Sequence, residues 1–220
     1  MYSTTTKRSF YTRQKYHQLF RNLLVLLFIG MLVACNKQPE KVISDKFYAV
    51  KEEGTIKVYR EGQKSALVTQ QAKSDHRPFI HPILAPDSEA ELTQYSPGHH
   101  KHQTGLYWGF TRVNGTEIAP DTLKKWFYKK DKPDRIKKQT GLDYFHHPED
   151  GYWKRVSLDL LVSEGKKIKW QTVYHMMNEE QEPILKETQT WVFEEKEGKF
   201  LISLEWGGEA LIDITINEFN

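Results

Sequence analysis

The sequence predicts an all-β fold, an antiparallel β-sandwich, and three observations predict it. Apolar residues recur with period two, most clearly Ile168, Trp170, Thr172, Tyr174 and Met176, which alternate with Lys169, Gln171, Val173 and His175. Turn dipeptides punctuate the chain between such stretches, among them Glu53-Gly54, Glu61-Gly62, Asn114-Gly115, Glu164-Gly165 and Glu197-Gly198. Only one stretch, 121–130, has helical spacing. Short half-buried strands joined by turns suit two sheets packed face to face.

In chain order, residues 1–34 are predicted to be a signal peptide. Five cations (Lys7, Arg8, Arg13, Lys15 and Arg21) and no acid lead into an apolar run over 23–34. That run is shorter than the roughly 20 apolar residues a spanning helix needs. The segment Leu32-Val33-Ala34-Cys35 looks like the lipobox of bacterial lipoproteins, which makes Cys35 the expected lipidation site and the membrane the partner of its acyl chains. The expected location is the cell envelope, facing the periplasm or cell surface, and Asn36 favours the outer membrane because it offers no inner-membrane retention cue. Residues 35–46 read as the lipidated Cys and a polar tether, and 47–220 as the folded domain.

Within that domain the expected strands are 55–60, 65–70, 77–84, 106–113, 154–163, 168–176, 190–194, 199–206 and 212–216. The stretch 121–130 is the one expected helix, with Asp121 as its cap and Leu123, Trp126 and Phe127 on one face. It lies in a basic insertion, 116–140. Trp170, Trp191 and Trp206, on alternating strands, are expected in the core.

Composition narrows the function. With 38% hydrophobic and 28% charged residues the chain can bury one core. The single Cys excludes an internal disulfide framework and any Cys-ligated structural zinc. The net charge of +3 belongs to the leader: residues 35–220 carry 27 Lys+Arg against 29 Asp+Glu, which argues against nucleic acid as a partner. No nucleophile elbow, Walker loop, dinucleotide glycine fingerprint or H-E-x-x-H motif is present.

The most unusual feature is a histidine cluster, His76, His81, His99, His100 and His102. On a strand, His100 and His102 would share a face and His99 would point away. Three readings stay open for this loop: a metal site at His100 and His102, a metal-free ligand or catalytic site, or a polar loop with neither. Arg77 and His81 would fall on one strand face, with Pro78 and Pro82 marking an edge or the start of a strand. The stretch 143–155 is dense in aromatics and hydrogen-bonding groups, the pairing that sugar rings require. Glu187 is a candidate general acid or base, or an ordinary solvated strand residue.

At these residues the chain resembles the PmoA-like family of exported bacterial domains, over roughly 47–218. The family's Arg/Lys-Pro-Tyr…Pro block is similar to Arg77-Pro78-Phe79-Ile80-His81-Pro82, followed by Ala85-Pro86-Asp87. Its His-Pro-His-His-Arg-Gly-Leu block resembles His100-Lys101-His102-Gln103-Thr104-Gly105-Leu106, followed by Tyr107-Trp108-Gly109, with Gln103 in place of the second adjacent His and Thr104 in place of the Arg. Its Val-Asn-Gly turn is similar to Val113-Asn114-Gly115, and its Asp-Phe-Trp block to Asp143-Tyr144-Phe145. Glu187 sits where the family tends to carry a Glu.

The resemblance implies part of a galactose-mutarotase-like double sandwich, a shortened C-terminal end, and carbohydrate as the ligand. The site it implies has Arg77, His81, Tyr107, Trp108 and Asp143 binding sugar. His100 and His102 would be acid or base with Glu187 as partner, in an epimerase-like or lyase-like step needing no organic cofactor. Two other classes are carried alongside: a metal-dependent enzyme built on the His cluster, and a non-catalytic or truncated envelope lipoprotein.

Overall fold

The computed structural model describes residues 44–149 and 151–218. The predicted signal peptide, Cys35 and the tether up to residue 43 lie outside the described residues. Ten strands and two short helices follow: β1 (Phe47–Glu52), β2 (Thr55–Arg60), β3 (Val68–Gln71), β4 (Phe79–Ile83), β5 (Leu106–Tyr107), α1 (Pro120–Trp126), α2 (Asp134–Thr140), β6 (Trp153–Val162), β7 (Glu164–Gly165), β8 (Lys167–Met177), β9 (Pro183–Lys196) and β10 (Lys199–Ala210). They form two antiparallel sheets, one in the order β5-β4-β3-β2-β1-β7 and the other β10-β9-β8-β6.

The expected alternation sets the packing. On β2, Ile56, Val58 and Arg60 are buried, and on β8, Ile168, Trp170, Thr172, Tyr174 and Met176 are buried, so each sheet turns one face inward. These faces meet in one core in which Phe47, Ile56, Val58 and Ile80 join Trp153, Ile168, Trp170, Trp191 and Phe193. Phe47 meets Phe193 edge to face at 5.0 Å, and Trp170 Nε1 donates to Gln70 Oε1 at 2.9 Å, so the indole is satisfied across the two sheets. Truncating either Trp170 or Phe193 to Ala is worth about 3–5 kcal/mol on the scale of buried aromatics. Arg60, 2% exposed, donates to Glu195 Oε2 at 2.6 Å and to the Ser44 carbonyl at 2.8 Å, and ties the sheets at their rim.

Several sequence expectations need correction. The run 106–113 is extended only over Leu106–Tyr107, because Tyr107 pairs with Phe79, the first residue of β4, and among the described residues finds no partner strand beyond it; further on, Arg112 and Asn114 adopt positive φ (58° and 55°) and turn the chain. Residues 212–216 do not form a strand. Alternation alone gives no partner, and the segment instead makes a single bridge from Ile216 to Val113, with Asn114 N–H donating to the Thr215 carbonyl at 2.8 Å. Glu164-Gly165, read as a turn, pairs with β1 as β7. The strand β1, apolar on both faces over its first four residues, was not singled out by periodicity.

The insertion carries two helices rather than one. In α1 the N-cap is Ala119 with Pro120 in the first turn, so Asp121 sits inside the first turn and caps nothing; Leu123 and Phe127 are buried and Trp126 is half-buried. The second helix, α2, buries only Ile136 and Thr140, too narrow a stripe to show as helical spacing. Trp170 and Trp191 are core as expected, whereas Trp206 is half-buried.

Candidate functional site

Arg77 organises the site from beneath. It precedes β4, is 0% exposed, and its guanidinium donates through Nη1 to the Phe145 carbonyl and through Nη2 to the His102 carbonyl at 2.6 Å and Thr104 Oγ1 at 3.3 Å. Its carbon lies 3.5 Å from the centre of the Tyr107 ring. One planar fork thus holds the loop around 99–104 beside the segment 143–147, a task for which the point charge of a Lys is unsuited. Burial pulls its pKa down to about 10, which leaves it charged at neutral pH.

Those two segments wall a cavity of about 840 Å³. Five imidazoles reach it from them, His99, His100, His102, His146 and His147, joined by Asp143 and by the aromatic rings of Tyr95, Phe127 and Tyr128. His146 Nδ1 lies 2.9 Å from Asp143 Oδ2, and Asp143 Oδ1 accepts the backbone N–H of Phe145 and of His146 at 3.1 and 2.9 Å. Burial pushes the Asp143 carboxyl up, but the bonds from the His146 ring and backbone outweigh it and hold the pKa below its ordinary value. The His102 ring meets the His146 ring at 4.6 Å. Burial, with His146 and Arg77 nearby, pulls the His102 pKa down, so this imidazole is neutral at pH 7.

The expected strand geometry of the His loop does not hold. His100 N–H donates to the Pro97 carbonyl and Gln103 N–H to the His100 carbonyl, both at 2.9 Å, so the loop is a pair of tight turns. His100 and His102 still converge, at 5.8 Å between ring centres, but His99, expected to point away, packs against His100 with tilted rings 4.1 Å apart and lines the same cavity. His76 is buried on the cavity wall, its Nδ1 bonded to the Arg77 carbonyl at 2.7 Å and its Nε2 3.8 Å from Glu149.

The remaining candidates lie elsewhere. His81 belongs to β4, where Nδ1 meets Thr93 Oγ1 at 2.9 Å, while Arg77 lies before the strand, so the two do not share a strand face. Tyr107 is half-buried beneath Arg77, and Trp108, 44% exposed, faces Trp206 at 6.1 Å. Neither lines the histidine cavity, and nor does Glu187. Glu187 is an inward-facing β9 residue, 1% exposed, and accepts from Trp206 Nε1 at 2.8 Å and Gln189 Nε2 at 3.0 Å; Gln189 Oε1 in turn accepts from Trp191 Nε1 at 3.1 Å. Burial raises its pKa to about 7 against those two donors. Among the described residues no group of three or more His, Cys, Asp or Glu side chains comes together in a way that could hold a metal ion.

His146 and His147 carried no assigned role in the sequence reading, although both stand in the dense stretch 143–155. The usable signal was the spacing Asp143-x-x-His146, which returns the ring to the carboxylate within one turn of chain.

The class these features define is an all-β sandwich whose connecting loops, pinned by a buried arginine, enclose a histidine-lined hollow. The chain belongs to the DUF6807 family, a family of unknown function, whose model matches residues 55–218. That span takes in Arg77, both walls of the cavity, the basic insertion and Glu187. No curated protein and no solved structure matches the chain.

Proposed function

We propose that this is a lipid-anchored cell-envelope protein that binds or processes carbohydrate in the cavity walled by His102, His146 and Asp143. The observation that carries the reading is the Asp143–His146 pair, 2.9 Å apart, beside the neutral ring of His102 in a hollow also lined by Tyr95, Phe127 and Tyr128. Aromatic faces stack on the C–H faces of a pyranose, while imidazoles and a carboxylate bond its hydroxyls. The resemblance to the PmoA-like family, with its mutarotase-like shape, favours the same ligand class.

In a reacting complex Asp143 fixes the orientation of His146, and His102 is free to accept a proton near neutral pH, a pairing suited to an epimerase-like or lyase-like step. Asp143 takes the partner role first assigned to Glu187, because Glu187 is sealed beneath Trp206. Anchorage at Cys35 rests on the lipobox. Full-length protein in detergent, screened on a glycan array and by calorimetry, is expected to bind a sugar, and His102→Ala with His146→Ala to abolish binding. A protein that binds no glycan, or a double variant that binds as wild type does, overturns the reading.

A further inference from the structure

A second hollow, of about 480 Å³, is lined by five lysines: Lys129, Lys130 and Lys132 from the connection between α1 and α2, and Lys137 and Lys138 from α2. The connection is wound tightly, Lys129 N–H donating to the Trp126 carbonyl and Lys132 N–H to the Lys130 carbonyl, both at 3.0 Å, which brings successive lysines to one place. Among the described residues only Lys137 of the five has a carboxylate within ion-pair distance, Asp134 at 3.8 Å. Lys132 is half-buried with its ammonium 5.7 Å from the centre of the Phe127 ring, and burial pulls its pKa down. Unpaired ammonium groups gathered around one hollow repel one another unless an anion lies among them.

Three acids also line the hollow. Asp143 is committed to His146, and Glu179 and Glu180 are exposed on the β8–β9 turn with no lysine at ion-pair distance among the described residues, although Asp143 and Glu179 lie near enough to favour the charged form of Lys132. The local excess is nevertheless large. Residues 121–138 hold eight Lys+Arg against three Asp, net +5, while the rest of residues 35–220 is net −7. Such an island of opposite sign concentrates field and draws anions toward it.

The two hollows adjoin. Lys130, Asp143 and His147 line both, so the lysine hollow continues the histidine cavity rather than standing apart from it. We propose that together they bind an acidic glycan, the sugar ring lying among His102, His146 and the aromatic side chains while its carboxylate or sulfate is held among the five lysines, Lys129, Lys130, Lys132, Lys137 and Lys138. This names the substrate class for the carbohydrate reading above and rests on it.

The test is calorimetry on full-length protein with three probes: trigalacturonate, a chondroitin sulfate tetrasaccharide, and neutral trigalactose. A Lys132→Gln/Lys138→Gln variant is measured beside wild type, with Lys129→Gln/Lys137→Gln as a second pair. At least one acidic probe is expected to bind about tenfold more tightly than trigalactose, with the gap closing as salt rises and screens the lysines. A carboxylate preference shows with trigalacturonate and a sulfate preference with the chondroitin probe. Either lysine pair is expected to remove that preference and leave trigalactose binding unchanged. Equal binding of acidic and neutral probes, or lysine variants that keep the preference, overturns the inference while the carbohydrate reading stands. Polyacrylate competing as well as the best acidic probe also overturns it, since that polymer has charge without sugar rings. Failure of every sugar to bind removes both.

Discussion

His146 Nδ1 and Asp143 Oδ2 are 2.9 Å apart, and the same carboxylate accepts two backbone N–H groups from the turn that carries the imidazole. The pair is at once a structural clamp and the orienting element of the cavity. Asp143→Asn puts an amide N–H₂ within reach of groups that need an acceptor, and is expected to cost about 1–3 kcal/mol in urea denaturation. Because the folded carboxyl is held below its ordinary value, its stabilisation is present above the normal carboxyl range and is lost as pH falls through it. The difference between wild type and Asp143→Asn is therefore expected to shrink on acidification, and a difference constant with pH contradicts the account.

Glu187 has the opposite sign. Its folded pKa is about 7 against an ordinary 4.5, so between those values the folded protein retains a proton that the unfolded chain has released. Its contribution is complete below pH 4.5 and is lost as pH rises through 7. Glu187→Gln abolishes this titration. Relative to that variant, wild type is expected to lose on the order of 3 kcal/mol of unfolding free energy between about pH 4.5 and 8. Chemical denaturation at stepped pH measures it.

Arg77 is expected to be irreplaceable by Lys. Its fork serves the Phe145 and His102 carbonyls and Thr104 together, and an ammonium cannot span all three while lying flat on Tyr107. Arg77→Lys is expected to cost about 2–4 kcal/mol and to loosen both cavity walls at once. Hydrogen exchange checks this: amides in 99–104 and 143–147 should lose protection together, and loss confined to one segment contradicts the shared anchor.

Gly141 ends α2 with φ of 72°, and a Cβ there would stand 2.6 Å from Gly115 N and from the Val113 carbonyl oxygen. Backbone cannot yield as a side-chain tip can. Gly141→Ala is expected to lower stability by about 1–3 kcal/mol, read as a fall in thermal midpoint. A neutral effect would mean that α2 is not held against the Val113 turn.

The sheets were legible because their signal is local: β2, β8 and the inner half of β9 bury the residues that period-two reading selects. Elements that depend on a distant partner were not. Glu164-Gly165 becomes a strand only because Phe47 and Tyr48 lie alongside, and 212–216, with equally good alternation, meets the turn at Val113 and Asn114 rather than a strand. At the site, the sequence identified the right loops and misjudged their backbone. His100 and His102 do converge, but through tight turns, and Glu187, read as a catalytic partner or a solvated residue, is buried. The link between Arg77 and residues 102 and 145 spans 25 and 68 positions, beyond any spacing rule.

The core also dictates an order of events. Phe47 rests on Phe193, Gln70 receives the indole of Trp170 across 100 positions, and Arg60 reaches Glu195 across 135. Loops of that length close late and slowly. A chain emerging amino end first, from a ribosome or a translocation pore, therefore presents β1 to β4 long before their cover exists, and their inner faces stay open to chaperones until the final third arrives. Shortening the protein from its carboxyl end past β9 would take away the lid on the first sheet rather than trim an appendage.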